Sequence, residues 1–167
     1  MTIKIKFHYV WLNEPPRLCI ATTINDLPRG ISHDFYILSG SIVADYVRQE
    51  HCDFTLQKIK ELEFHKIENY VWEGQSFIHH MNCKSVTLEH TVFGVCPEWP
   101  LWTCPLSHYK AALQGWRKFL VMPKAIDSEL IVELPEVISE SKQMAGKNSH
   151  VAKTQRQTIS ENCQRKS

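Results

Sequence analysis

The residues best suited to chemistry in this chain are its nine histidines and six cysteines. His79 and His80 are adjacent, His90 follows further on, and Cys83, Cys96 and Cys104 are spread around them. Imidazole beside thiol suggests two chemistries: a borderline zinc site, or a Cys/His nucleophile pair such as Cys96 or Cys104 with His90. Spacing counts against both. Adjacent residues of a strand point to opposite faces, so only one of His79 and His80 can join a given cluster. The separation of Cys96 from Cys104 is not that of a zinc knuckle, and no C-x-x-C pair occurs. A nucleophilic thiol must ionise, and only Cys104, just before Ser107, comes near a helix start that would help it. Two readings stay open here: a small metal- or Cys/His-dependent hydrolase built on Cys83, His90 and Cys96, or ordinary histidines and reduced, half-buried thiols. The expectation is the second, with no catalytic residue, no metal and no cofactor.

Other reaction signatures are missing. The six glycines never fall in a G-x-G or G-x-x-x-x-G-K pattern, so no phosphate-cradling loop is expected. Neither a G-x-S-x-G elbow nor an H-E-x-x-H helix occurs. Carboxylates are scattered as on a solvated surface.

The elements that must position these residues are legible in part. Ile3, Ile5, Phe7 and Tyr9 alternate with Lys4, Lys6 and His8, which predicts a strand over 3–11. Asn13-Glu14-Pro15-Pro16 breaks it and 17–23 resumes as a second strand, giving a hairpin or meander. A turn cluster over 25–30 leads to a short strand over 34–38, with 42–49 ambiguous. A helix is expected over 55–65, carrying Leu56, Ile59 and Leu62, with Asp53 or Thr55 as its cap. Residues 70–81 and 85–93 read as a hairpin, central in its sheet, turning at Met81-Asn82-Cys83-Lys84.

A connector rich in proline and tryptophan, Cys96-Pro97-Glu98-Trp99-Pro100-Leu101-Trp102-Thr103-Cys104-Pro105, precedes the clearest helix, over 107–120. There Tyr109, Ala112, Leu113, Trp116, Phe119 and Leu120 make one continuous stripe. Ser107 is its expected cap and Pro123 its stop. Gly115 costs about 1 kcal/mol relative to alanine, so a close neighbour is expected there. A last strand or edge segment covers 129–134. The fold class expected is therefore α+β: an antiparallel sheet of hairpins packed by the long helix (about 107–120) and a shorter one (about 55–65).

Composition sets the limits. With 167 residues, 43% hydrophobic, the chain can build one core without disulfide or metal staples. Of its 19 basic and 18 acidic residues, six and two fall in 139–167, leaving 13 and 16 in 1–138. A mildly acidic body argues against nucleic acid as the main partner, since phosphate binding needs clustered Lys and Arg. Residues 1–138 are read as one domain and 139–167 as a disordered basic tail, too poor in large apolar residues to offset its own ordering entropy. No apolar run is long enough for a signal peptide or membrane span, so a cytoplasmic location is expected.

Three runs carry a resemblance: Glu68-Asn69-Tyr70-Val71-Trp72-Glu73-Gly74-Gln75-Ser76-Phe77, then Val86-Thr87-Leu88-Glu89-His90, then the stripe Tyr109, Ala112, Leu113, Gly115, Trp116, Phe119 and Leu120. Over about 55–135 the chain resembles small bacterial immunity proteins, the antidotes of polymorphic or contact-dependent growth inhibition toxins. Gln75 stands where their pattern often has asparagine. The resemblance implies a binding protein rather than an enzyme, one that engages a cognate protein toxin and blocks it. It carries over no functional residue, because such proteins use different surfaces for different toxins. On that reading the contact set expected is the acidic and aromatic side chains outside the packed stripe: Glu73, Glu89, Glu98, Trp99 and Trp102. A mildly acidic body would also speed encounter with a basic toxin.

Overall fold

Alternating apolar and charged residues form strands at the start of the chain, as expected: β1 (Lys4–Asn13) buries Ile5, Phe7 and Tyr9 and turns Lys4 and Lys6 outward. A computed structural model describes residues 2–13, 16–25 and 32–136 of the chain. β1 pairs antiparallel with β2 (Pro16–Asn25) on one side and with β7 (Glu129–Glu133) on the other, giving a three-stranded sheet of order β2-β1-β7. Outward ion pairs, Lys4–Glu133 at 2.8 Å and Lys6–Glu129 at 2.6 Å, bridge β1 and β7.

A second sheet has four strands in the order β3-β4-β5-β6: β3 (Asn69–Glu73), β4 (Phe77–Asn82), β5 (Ser85–His90) and β6 (Trp102–Pro105). Every neighbouring pair is antiparallel. The expected hairpin is β4–β5, and it is central. What read as one long arm over 70–81 is two strands, because the chain turns at 74–76. The expected strand over 85–93 stops at His90, and part of the tryptophan-rich connector pairs as β6.

Three helices pack on these sheets. The short strand expected over 34–38 is instead part of α1 (Ser32–Asp45). Phe35, Leu38 and Ile42 repeat at helical spacing and are buried, and this burial outweighs the apparent stop at Ser39-Gly40-Ser41. α2 (Gln49–Glu63) begins earlier than expected, and Arg48, not Asp53 or Thr55, stands at its N-cap. It ends in a Schellman turn: His65 takes a positive φ of 53°, while His65 and Lys66 N–H groups donate to Leu62 and Glu61. α3 (Leu106–Phe119) has Pro105 at its N-cap, so Ser107 is not the cap.

α3 is the keystone. Its stripe meets the three-stranded sheet through Trp116 and Phe119, whose rings lie 5.4 and 6.1 Å from Phe7, while Tyr109, Ala112 and Leu113 are fully buried. Burying Leu113, Trp116 and Phe119 contributes roughly 1.5–3 kcal/mol each. Gly115 has the close neighbour its cost implied: a Cβ there would collide with the Val132 side chain on β7. Residues 1–135 form one compact unit. The expected basic tail, 139–167, lies outside the described residues.

Candidate functional site

The four-stranded sheet has an inner face against the helices and an outer face in solvent, and the chemistry-bearing residues divide between them. His79 and His90 lie on the inner face and His80 on the outer, as strand alternation requires. His79 is opposite Leu88 and His90 opposite Phe77, so the two inner histidines are not paired across the strands. Among the described residues no three His, Cys, Asp or Glu side chains gather as metal ligands would.

His79 belongs to a closed polar chain. Its Nε2 lies 2.8 Å from Asp45 Oδ2 at the end of α1, and its Nδ1 lies 2.7 Å from the Tyr109 hydroxyl on α3. That hydroxyl is 2.8 Å from the Tyr46 hydroxyl. The bonds run consistently in one direction if His79 is neutral: Nε2–H donates to Asp45, Tyr109 donates to Nδ1, and Tyr46 donates to Tyr109. Burial lowers the His79 pKa against the opposing pull of Asp45, and it raises those of Tyr46 and Tyr109. Asp45 also accepts the Ser76 and Phe77 N–H groups at 2.7 and 3.0 Å, which fastens the β3–β4 turn to α1. A Cβ on Gly74 would strike that carboxylate, so the turn needs glycine. All four side chains are buried. The Asp–His–Tyr series resembles a proton relay but ends inside the core, where it ties three elements together.

This gives the W-E-G-Q-S-F segment its physical meaning. Trp72 stacks on Tyr46 at 5.1 Å, Gly74 makes room for Asp45, and Ser76 and Phe77 donate to it. The motif is packing.

The thiols are spread over different elements of the fold. The described cysteines are free; Cys83 is exposed on the β4–β5 turn and Cys96 half-buried in the connector. Cys104 is buried on β6, and burial pushes its thiol up to about 12, so it is not a thiolate at neutral pH.

The five expected contact residues fall on two adjoining surfaces. Glu73 and Glu89 are on the outer face, both in register with Ile78 and hence about 10 Å apart by strand spacing. Glu89 also meets His80 at 3.3 Å. Glu98, Trp99 and Trp102 line a cavity of about 290 Å³ at the same end of the sheet, together with Phe77, His90 and, from α1, Ile37. The rings there are in contact: His90 lies 4.6 Å from Trp99 and 5.4 Å from Phe77. His90 Nδ1 accepts the Val92 and Phe93 N–H groups at 3.2 and 3.3 Å, which curls the chain over the sheet end. Thr91 binds back to the 74–76 turn through Gln75 and Ser76 carbonyls.

Residues 91–101, from the end of β5 into the connector, expose apolar side chains that sequence reasoning did not single out. Val92 is 76% exposed, Phe93 61%, Val95 61% and Leu101 50%, beside Trp99 at 40%. These five exposed side chains within ten residues of sequence, with the Phe93 and Trp99 rings stacked at 6.3 Å, are called the shelf below; exposed apolar patches often mark interaction surfaces. The available signal was the failure of 91–101 to keep strand alternation while remaining apolar. Comparison with protein-family models, curated proteins and solved structures found no match. No helix among the described residues is long and apolar enough to cross a membrane.

Proposed function

We propose that this protein is an immunity protein, a binding module that neutralises a cognate protein toxin in the cytoplasm by covering it with the end of the molecule formed by residues 91–101. The observation that carries the reading is the shelf of Val92, Phe93, Val95, Trp99 and Leu101, five large apolar side chains exposed within ten residues of sequence and set beside a cavity lined by aromatic rings. An aromatic-rich apolar centre with a polar rim is the usual anatomy of a protein interface. Glu98 supplies an acidic group beside that centre, and Glu73 and Glu89, on the outer face at the same end of the sheet, would add to the field that steers a basic partner toward it. The resemblance to toxin antidotes supports the same reading.

The test is co-expression with the toxin domain encoded immediately upstream. Growth should be rescued, and Phe93→Asp should abolish the rescue while leaving the thermal midpoint in place. In binding measurements Phe93→Asp should weaken toxin affinity by about 30-fold, the scale of one interface hot spot. The combined Glu73→Lys, Glu89→Lys and Glu98→Lys variant should slow association and lose the salt dependence of its rate. No rescue, or a rescue indifferent to both variants, removes the proposal.

A further inference from the structure

The cavity beneath the shelf has a chemistry of its own. Four aromatic rings, Phe77, His90, Trp99 and Trp102, line it, and among its described lining residues Glu98 is the one acidic side chain, with no Lys or Arg. Aromatic faces carry partial negative charge and attract cations, most strongly at tryptophan. The His90 ring offers a further flat face for stacking, and its Nδ1 accepts the Val92 and Phe93 N–H groups, which favours the Nε2–H tautomer of the neutral ring. Size narrows the choice further. At about 290 Å³ the cavity falls just below the roughly 300–1,000 Å³ usual for small-molecule pockets, and suits one long side chain.

We infer that the cavity receives an arginine side chain of the protein partner, its guanidinium stacked on Trp99 or His90 and paired with Glu98. Charge complementarity selects a cation, and the aromatic, otherwise apolar lining selects arginine over lysine. A guanidinium is planar, stacks on rings and is less strongly hydrated than an ammonium, so it loses less on leaving water. The methylenes of the same side chain suit Ile37 and Leu88, which complete the lining. The inference rests on the toxin-binding reading for the source of the arginine, while the cation preference of the cavity can be tested without it.

The probe is N-acetyl-arginine amide, titrated into the full chain while the indole N–H signals of Trp99 and Trp102 are followed by NMR. Both signals should move, with Trp99→Phe and Trp102→Phe giving their assignments. N-acetyl-citrulline amide has nearly the same shape without the charge and should bind at least tenfold more weakly. N-acetyl-lysine amide should fall between the two. Glu98→Gln, on an exposed residue whose loss does not threaten folding, should weaken the arginine probe about 3- to 5-fold. Citrulline binding as well as arginine, or an arginine affinity untouched by Glu98→Gln, overturns the inference. If the arginine probe fails while Phe93→Asp still abolishes protection, the inference falls and the immunity reading stands. If the probe binds as expected while protection ignores the shelf, the cation preference is upheld and the toxin as its source is refuted.

Discussion

His79 and His90 stand on the two central strands of one sheet, with their side chains on the same face, yet their surroundings have nothing in common. His79 is sealed among Asp45, Tyr46 and Tyr109, with both ring nitrogens hydrogen-bonded. His90 is half-buried at the sheet end, bonded to backbone on one nitrogen and enclosed by Phe77, Phe93 and Trp99. The difference is set by α3 and the end of α1, which close over His79, while His90 borders a cavity lined by residues 98–102 and by Ile37 of α1. One histidine is hydrogen-bonded on both sides and closed in; the other borders a cavity lined by aromatic rings.

The largest effect should come from breaking the closed region. Asp45→Ala strands two backbone N–H groups and the His79 Nε2–H, and should cost about 3–5 kcal/mol in urea denaturation. A loss below 1 kcal/mol would mean that water replaces the carboxylate and that the region is not closed. A smaller, pH-dependent effect sharpens the contrast. Because burial holds the folded-state pKa of His79 below its ordinary 6.5, the unfolded chain takes up the proton more readily. Stability is therefore greatest above about 6.5 and should decline as pH falls below it, and His79→Gln should flatten that decline. Matching slopes in the two proteins would exclude His79 as the source. The least effect should follow His90→Leu, which returns exposed backbone N–H groups to water and should change stability by no more than about 0.5 kcal/mol. A cost of 2 kcal/mol or more would erase the distinction between the two histidines.

How much of this was legible depends on how local its cause is. The stripe of α3 and the alternation of β1 are repeats within a dozen residues, and the expected faces are the buried ones. Gly115 was legible too, since a costly residue in a strong helix implies a neighbour, and Val132 is that neighbour. α1 was not. Its Asp34-Phe35-Tyr36-Ile37-Leu38 run passes for a short strand, and only burial of Phe35, Leu38 and Ile42 together settles it as helix. The division of the strands into two sheets depends on long-range pairing that no window of sequence contains. The closed polar chain was hidden for the same reason: Asp45, His79 and Tyr109 lie 30 or more residues from one another, and only the crossing of α1, β4 and α3 unites them. Of the expected contact residues, Glu98, Trp99 and Trp102 do share a cavity, while Glu73 and Glu89 lie across the sheet on its outer face.

The pairing of β1 with β7 joins Lys4 to Glu133 and His8 to Glu129. During synthesis the β1–β2 hairpin is made before α3, whose Trp116 and Phe119 pack on its inner face, and before β7, which closes its free edge. Such distant contacts slow folding, because a long loop must close before any of them forms. The nascent chain thus displays Phe7 and Tyr9 until α3 has been made, and its yield in the cell should respond to chaperone supply more than its native stability alone would suggest.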